Sequence, residues 1–384
     1  MRIVADVNIP FVRECFSPAG HVEVLGGRDI TPSVVAQADA LLVRSITPVN
    51  EKLLAGSRVR FVATATIGFD HVDRSYLERN NIGFASAPGS NANSAAEYVV
   101  AALLEVGRRR GLRLEGRSIG VIGVGNVGSR VVRKCEALGM RVLQNDPPLH
   151  RQTGDPRYVP IEALYGCDFI TLHTPLLREG MDKTFHLAGD AFFSSLRQGA
   201  VFLNASRGAV TDTQALKAAL RTAYLRAAVL DVWEGEPCID TELLAMVDLG
   251  TPHIAGYSYD GKIAGTIMIY RAFCKYFGLP AKFDASDFLP PPEVPRLEMR
   301  TGDATDEELL AHAVEQIYSI RRDDRDLRRI VDQPQENQGR FFDSLRKGYP
   351  IRREFHNTTV VLDSGRESLA RKLKGIGFNV EGDG

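Results

Sequence analysis

Three short segments in the second half of the chain carry side chains whose chemistry is complementary. His253 lies in Thr251-Pro252-His253-Ile254-Ala255-Gly256. An imidazole titrates near neutrality, so it can take up a proton and return it. Glu236, in Leu230-Asp231-Val232-Trp233-Glu234-Gly235-Glu236-Pro237, is a carboxylate that can hold such a ring in one tautomer and favour its charged form. Arg207, in Asn204-Ala205-Ser206-Arg207-Gly208, offers the planar fork that grips a carboxylate and can polarise a carbonyl oxygen. Those three groups are what loss of a hydride from the alpha carbon of a 2-hydroxy acid requires, since the hydroxyl must give up its proton at the same time. Singly, each has a bland reading: a surface arginine, a turn glutamate, a loop histidine. Their weight comes from occurring together, in this order, behind a particular pattern of elements.

That pattern includes a site for the hydride acceptor. Gly123-Val124-Gly125-Asn126-Val127-Gly128 follows an apolar strand and opens a helix. Gly123 permits a tight turn, Gly125 lets backbone approach a pyrophosphate, and Gly128 lets helix and strand pack closely. Phosphates then meet the helix N-terminus, where unused N–H groups favour an anion. The next strand ends at Asp146, eighteen residues past Gly128. A carboxylate there accepts hydrogen bonds from ribose hydroxyls and repels a 2′-phosphate, which selects NAD over NADP. Asp231 is well placed for the nicotinamide end.

These residues must be positioned by alternating strands and helices. Strands are expected at residues 3–5, 22–25, 40–43, 60–63 and 82–85, and again at 118–122, 141–144, 169–173, 201–204 and 227–230. Helix-sized stretches separate many of them, the mark of parallel sheets covered on both faces. A long helix is expected from Ser94, with Ser94 and Glu97 at capping-box spacing, crossing from the first domain to the second. Another, over 260–277, returns to cover the first domain. The stretch Leu289-Pro290-Pro291-Pro292-Glu293-Val294-Pro295 reads as a stiff linker to a small α+β domain. In that domain Leu309, Leu310, Ala313, Ile317 and Ile320 give one helix an apolar face, and 360–362 is a strand. The expected architecture is two doubly wound parallel-sheet α/β domains plus the C-terminal one. Residues 1–93 with 257–285 form a flavodoxin-like substrate domain, 94–256 a Rossmann NAD domain, and 286–384 the small last domain.

Composition fits a globular enzyme: 44% hydrophobic and 25% charged residues. A net charge of −1 gives no reason to expect nucleic acid or a membrane as partner. The start of the chain lacks the features of a signal peptide. Five dispersed cysteines, without metal-ligand spacing, suggest reduced thiols in the cytoplasm and no metal.

Arg207, Glu236 and His253, the glycine run, Asp146 and Cys167-Asp168-Phe169-Ile170-Thr171-Leu172-His173-Thr174-Pro175-Leu176 together resemble the D-isomer-specific 2-hydroxyacid dehydrogenases, over about residues 35 to 275. The resemblance implies NAD as cofactor, Arg207 on the substrate, Glu236 supporting the histidine and His253 as acid/base. It implies Thr174, Ser206, Arg207, Gly208, Asp231 and Gly256 in the NAD site. The chain departs from the common family pattern where a small apolar loop is usual. Thr64 and Thr66 make that loop polar, Arg44-Ser45 adds charge, and Tyr257-Ser258-Tyr259 is polar again, which suits a substrate with more hydroxyls and a second anion. One branch of the family shares these departures and the extra C-terminal domain. Membership there implies a small phosphorylated hydroxy acid contacted by Ser45, Thr66 and Tyr257, and a homodimer formed through the last domain. Arg346, Lys347, Arg352 and Arg353 are candidates to reach a neighbouring subunit's phosphate. Other readings are a phosphoglycerate, glycerate or hydroxypyruvate dehydrogenase of the same fold, or a binding protein that senses NAD.

Overall fold

A computed structural model describes residues 1–300, 302–363 and 366–382, and the chain divides into two compact units, 1–91 with 258–291 and 92–257 with 292–384. The first unit is built on five parallel strands: β1 (Arg2–Asp6), β2 (His21–Leu25), β3 (Ala40–Val43), β4 (Phe61–Thr64) and β5 (Gly83–Ala85). Their order, β2-β1-β3-β4-β5, is the flavodoxin-like one. Because side chains alternate along a strand, Ile3, Ala5, Ala40, Leu42, Phe61 and Ala63 enter one core while Val4, Leu41, Val43 and Val62 enter another. The helix Tyr259–Phe277 covers the first of these faces with Ile263, Ile267, Tyr270 and Phe273. Ser258 caps it by accepting from the Gly261 N–H at 2.8 Å, and left-handed Gly278 ends it.

The second unit holds six parallel strands: β6 (Ser118–Ile122), β7 (Arg141–Asn145), β8 (Phe169–Leu172), β9 (Ala200–Asn204), β10 (Leu225–Leu230) and β11 (Leu249–Gly250). Their order is β11-β10-β9-β8-β6-β7, and a single parallel bridge from Gln144 to Tyr158 continues the sheet past β7. That bridge occupies the place of the third Rossmann strand, here reduced to one pair. Ile119, Val121, Phe169, Val201, Leu203, Ala227 and Val229 face the helix Ala92–Arg110. Ile122, Ile170, Leu172, Phe202, Ala228 and Leu230 face the opposite core.

The C-terminal segment has its own parallel sheet, β12 (Arg296–Met299), β13 (Thr359–Leu362) and β14 (Asn379–Glu381) in that order. This is the small α+β domain that the sequence suggests, and it groups with residues 92–257 in the second unit. Leu309, Leu310, Ala313, Phe355, Leu373 and Ile376 share one core with the NAD-half helix Ala92–Arg110, and Leu327, Ile330 and Phe342 join the other core of that half. Much of its apolar surface is therefore buried within the second unit.

Three expectations are corrected. The long helix starts at Ala92, so Ser94 and Glu97 are buried inside it instead of capping it. Phe355 N–H donates to Glu97 Oε1 at 2.9 Å and Arg352 Nη2 donates to the Ser94 carbonyl at 3.1 Å, so packing against the C-terminal segment outweighs the cap. The same helix lies wholly in the second unit and does not cross from the first. Finally, the apolar stripe from Leu309 to Ile320 is two helices, Asp306–Ile317 and Ile320–Arg328, because Tyr318 takes an extended conformation and Ser319 caps the second.

Candidate active site

The glycine-rich turn has a geometry that requires glycine at two of its three glycine positions. Gly123 has φ of +85°, and a Cβ there would stand 2.7 Å from the His173 carbonyl. At Gly128 a Cβ would lie 1.9 Å from the Gly123 carbonyl, which only a bare Cα tolerates. A Cβ on Gly125, by contrast, would project into open space, the room that a bound pyrophosphate needs. Asn126 is exposed and Val127 half-buried where the helix Gly128–Ala137 begins. Beside the turn, Thr174 Oγ1 is buried without a hydrogen-bond partner, a hydroxyl that a ligand could satisfy. Asp146 holds the turn: its Oδ2 accepts from the Val124 N–H at 2.8 Å, and its Oδ1 caps the helix Pro147–Thr153 at Leu149 N–H. Each carboxylate oxygen keeps a second lone pair for ribose hydroxyls. The residues present therefore fit a dinucleotide. The neighbouring His173 is half-buried, with Nε2 on Thr171 Oγ1 at 2.9 Å, and desolvation of its ring pushes its pKa down to about 3. It stays neutral.

Arg207, Asp231 and His253 follow the carboxyl ends of β9, β10 and β11, where open α/β sheets place ligands. Three ties draw the loops together. The Asp231 N–H donates to the Asn204 carbonyl at 3.0 Å. Gly208 sits so close that a Cβ would fall 2.0 Å from the Trp233 carbonyl. Trp233, itself buried, donates its Nε1–H to the Thr251 carbonyl at 2.9 Å. Arg207 is half-buried, its main-chain carbonyl accepting from Asn204 Nδ2 at 3.0 Å and its Nη1 donating to the Ser206 carbonyl at 2.8 Å. Ser206 is fixed in turn by Asn204 Oδ1, which accepts from both its N–H and its hydroxyl.

The central contact is His253 Nδ1 to Glu236 Oε2, at 2.8 Å. An ionised carboxylate can only accept, so Nδ1 carries the hydrogen and Nε2 is left to accept a proton. Glu236 is held by its other oxygen, which accepts from the Trp233 N–H at 2.7 Å. Burial alone would push the Glu236 carboxyl up. The His253 charge and hydrogen bond, the Trp233 N–H and the Arg346 guanidinium outweigh it and hold the group below its ordinary value. His253 itself sits at φ of +57°, a left-handed conformation uncommon for a residue with a side chain. Asp231 accounts for it. Its carbonyl accepts from the His253 N–H at 2.7 Å, and its buried carboxylate accepts from Thr251 Oγ1, Ile254 N–H and Ala255 N–H at 2.6, 2.8 and 2.9 Å. Asp231, expected at the nicotinamide end, thus also shapes the histidine loop.

A family model described as the NAD binding domain of the D-isomer specific 2-hydroxyacid dehydrogenases matches residues 91–255, and one described as a domain of unknown function matches 288–377. An erythronate-4-phosphate dehydrogenase of Cronobacter sakazakii is 45% identical over 381 residues, 99% of this chain and 98% of its own. The chain belongs to the erythronate-4-phosphate dehydrogenase family. A second protein of that name, from Salinibacter ruber, is 48% identical and covers 94% of each chain. Among solved structures, the NAD-bound 3-phosphoglycerate dehydrogenase of Entamoeba histolytica superposes with a TM-score of 0.62 at 26% identity, over 75% of this chain and 99% of its own. Like the rest of its family, this chain is an NAD-dependent oxidoreductase.

The residues expected to contact substrate fall into two groups. Arg44, Ser45 and Thr66 follow β3 and β4 in the first unit. Ser45 is exposed, while Arg44 is half-buried with Nη1 3.3 Å from the Asn8 carbonyl. Thr66 Oγ1 donates to the Gly68 carbonyl at 2.9 Å, so toward a ligand it can only accept, as it would from a substrate hydroxyl. Tyr257 lies in the second unit, four residues past His253. Gly256 is half-buried beside it. Sequence reasoning failed to connect two residues to the pair. Trp233 is the tie between loops, and a lone tryptophan three residues before Glu236 could have signalled it. Arg346 has electrostatic reach to Glu236 across a long sequence gap, which no local pattern reveals.

Proposed function

We propose that this chain oxidises 4-phospho-D-erythronate at C2 to 2-oxo-3-hydroxy-4-phosphobutanoate, with NAD as hydride acceptor. Kinship along nearly the whole chain to proteins named for that substrate supports the choice of acid. The observation that carries the chemistry is the His253–Glu236 pair, with Nδ1 on the carboxylate at 2.8 Å. His253 Nε2 takes the C2 hydroxyl proton, and Glu236 stabilises the imidazolium that results. Arg207 holds the substrate carboxylate and draws electron density from the developing carbonyl. Gly123, Gly125, Asn126, Val127, Gly128, Asp146, Thr174, Ser206, Arg207, Gly208, Asp231 and Gly256 would hold NAD, which when bound supplies the hydride acceptor. Ser45, Thr66, Arg44 and Tyr257 serve the substrate's hydroxyls and anionic groups. The reaction belongs to pyridoxal 5′-phosphate (vitamin B6) biosynthesis. Two copies pair through residues 286–384, where Val331 and Ile351 are exposed apolar side chains suited to an interface. The free thiols suit a reducing cytoplasm.

The test is NADH formation with 4-phosphoerythronate, 3-phosphoglycerate and glycerate side by side. The expected result is a kcat/KM for 4-phosphoerythronate at least about 100-fold above either rival. Equal or better turnover of 3-phosphoglycerate would overturn the assignment.

A further inference from the structure

The helix Gln335–Lys347 of the C-terminal segment packs onto the loop that carries Glu236. At Gly339 a Cβ would touch Pro237 Cγ at 3.4 Å and Cys238 Sγ at 3.3 Å. The last turn of this helix brings Arg346 to the catalytic pair. Its guanidinium lies 5.7 Å from the centre of the Tyr257 ring and acts electrostatically on Glu236. The Tyr257 ring is braced edge-on by Tyr349, whose hydroxyl donates to Asp323 Oδ2 at 2.7 Å. The platform under the guanidinium is therefore rigid.

Its donors are largely unspent. Arg346 Nε is buried and has no hydrogen-bond partner, and the approach to Asp343 is 3.9 Å, too long for a hydrogen bond. A buried guanidinium N–H without an acceptor costs stability, and an anionic ligand is one partner that would satisfy it. Two other basic side chains that the sequence singled out, Arg352 and Arg353, are bonded elsewhere within the chain. Arg352 is buried; its Nε and Nη1 also lack a partner, but its Nη2 donates to the Ser94 and Ala255 carbonyls and its guanidinium stacks on Tyr318. Arg353 is also buried and donates to Asn357 Oδ1 at 2.6 Å.

We infer that Arg346 is the residue that binds the phosphate at the far end of the substrate, supplied within the same chain by the C-terminal segment. The inference rests on the proposed reading, in which the substrate carries a carboxylate at one end and a phosphate at the other. Arg207 takes the carboxylate. Arg346 presents the planar fork beside the His253–Glu236 pair for the second anion, and a guanidinium matches phosphate geometry with two parallel hydrogen bonds. This gives the extra C-terminal segment a direct part in choosing the substrate.

Arg346→Gln and Arg346→Lys are each assayed with 4-phosphoerythronate and with unphosphorylated erythronate. The readout is the ratio of the two kcat/KM values in one sample, which cancels any difference in folded fraction. Arg346→Gln is expected to lower that ratio by about 10- to 100-fold, the worth of charge-assisted hydrogen bonds, through KM for the phosphorylated acid. Arg346→Lys, keeping the charge, recovers part of it. Inorganic phosphate should inhibit erythronate oxidation by wild type and lose that effect in Arg346→Gln. An unchanged ratio, with a shifted pH profile for both substrates, would mean that Arg346 acts only through Glu236 and would overturn the inference. If wild type shows no preference for the phosphorylated acid, the function reading falls. Phosphate inhibition then decides for Arg346 alone: its loss in Arg346→Gln upholds the anion site, and its persistence overturns it.

Discussion

Replacing Glu236 by Gln changes one atom and should cripple turnover, for a reason set by the backbone. The Trp233 N–H, 2.7 Å from Oε1, accepts no donor, so the Gln carbonyl oxygen must stay there. The amide nitrogen is then left facing His253 Nδ1, where the carboxylate stood at 2.8 Å. An NH2 group can only donate, so Nδ1 must become the acceptor and the ring hydrogen moves to Nε2. The nitrogen meant to take the substrate proton is then blocked. Two opposite charges about 4 Å apart are worth about 4 kcal/mol at an effective dielectric of about 20. The side chains of Glu236 and His253 are 20% and 33% exposed, and solvent reduces the figure. About 2–3 kcal/mol of imidazolium stabilisation remains. Returning the ring to the productive tautomer adds about 1–2 kcal/mol for opposing N–H groups. The sum, about 3–5 kcal/mol, lowers kcat by about 10²- to 10⁴-fold. The assay is steady-state NADH formation, with NAD affinity measured separately by fluorescence and expected to stay within about threefold, since Glu236 holds no part of the cofactor turn. A Glu236→Gln enzyme that keeps kcat within about tenfold of wild type would refute the tautomer argument.

Two further perturbations follow from packing and burial. Gly208→Ala puts a methyl group 2.0 Å from the Trp233 carbonyl, a backbone atom that cannot swing aside, so the loops of Arg207 and Glu236 must separate. Activity should drop by more than about 100-fold with a stability loss of about 1–3 kcal/mol by thermal unfolding, and unchanged kinetics would contradict the claimed contact. Glu97 lies wholly buried near Glu354, and burial, then the Glu354 charge, pushes its pKa from 4.5 to about 8 against the pull of Lys134 and Arg352. Folded, it keeps its proton up to about pH 8; unfolded, it releases it near pH 4.5, so the unfolded state holds fewer protons between these values. Stability should therefore be present below about pH 4.5 and decline toward pH 8, by at most about 5 kcal/mol, in urea unfolding across that range. Glu97→Gln should flatten the decline, and an identical slope in the variant would assign it elsewhere.

The parts of the fold that the sequence revealed are those whose neighbours are local. Residues 40–43 and 118–122 match β3 and β6 residue for residue, because strands buried on both faces are unbroken apolar runs bounded by turns. Gly123 and Gly128 could be assigned roles because turn and helix packing act over six residues. Edges were harder. β11, β12 and β14 are two to four residues long and have little periodicity to detect. The capping-box reading of Ser94 and Glu97 failed because a tertiary partner, residues 352–355, arrives from the far end of the chain. The last segment reads as a small domain and carries its own sheet, but the sequence did not reveal that its arginines and aspartates anchor it within the second unit. Arg328, paired with Asp324 at 3.0 Å, donates to the Leu244 and Val247 carbonyls, and Asp324 accepts from the Gly250 N–H at 2.8 Å. At the candidate site, motif order picked out Arg207, Glu236 and His253, while the roles of Asp231 as a loop former and Arg346 as a neighbour required coordinates.

The most direct measurement is turnover of 4-phosphoerythronate by His253→Asn beside wild type, with NAD binding followed in parallel. An enzyme that relies on the Nε2 atom of His253 for the C2 hydroxyl proton should lose at least about 10³-fold in kcat while binding NAD as before. Retention of a tenth or more of the wild-type rate, with the protein folded and NAD bound, would contradict the account.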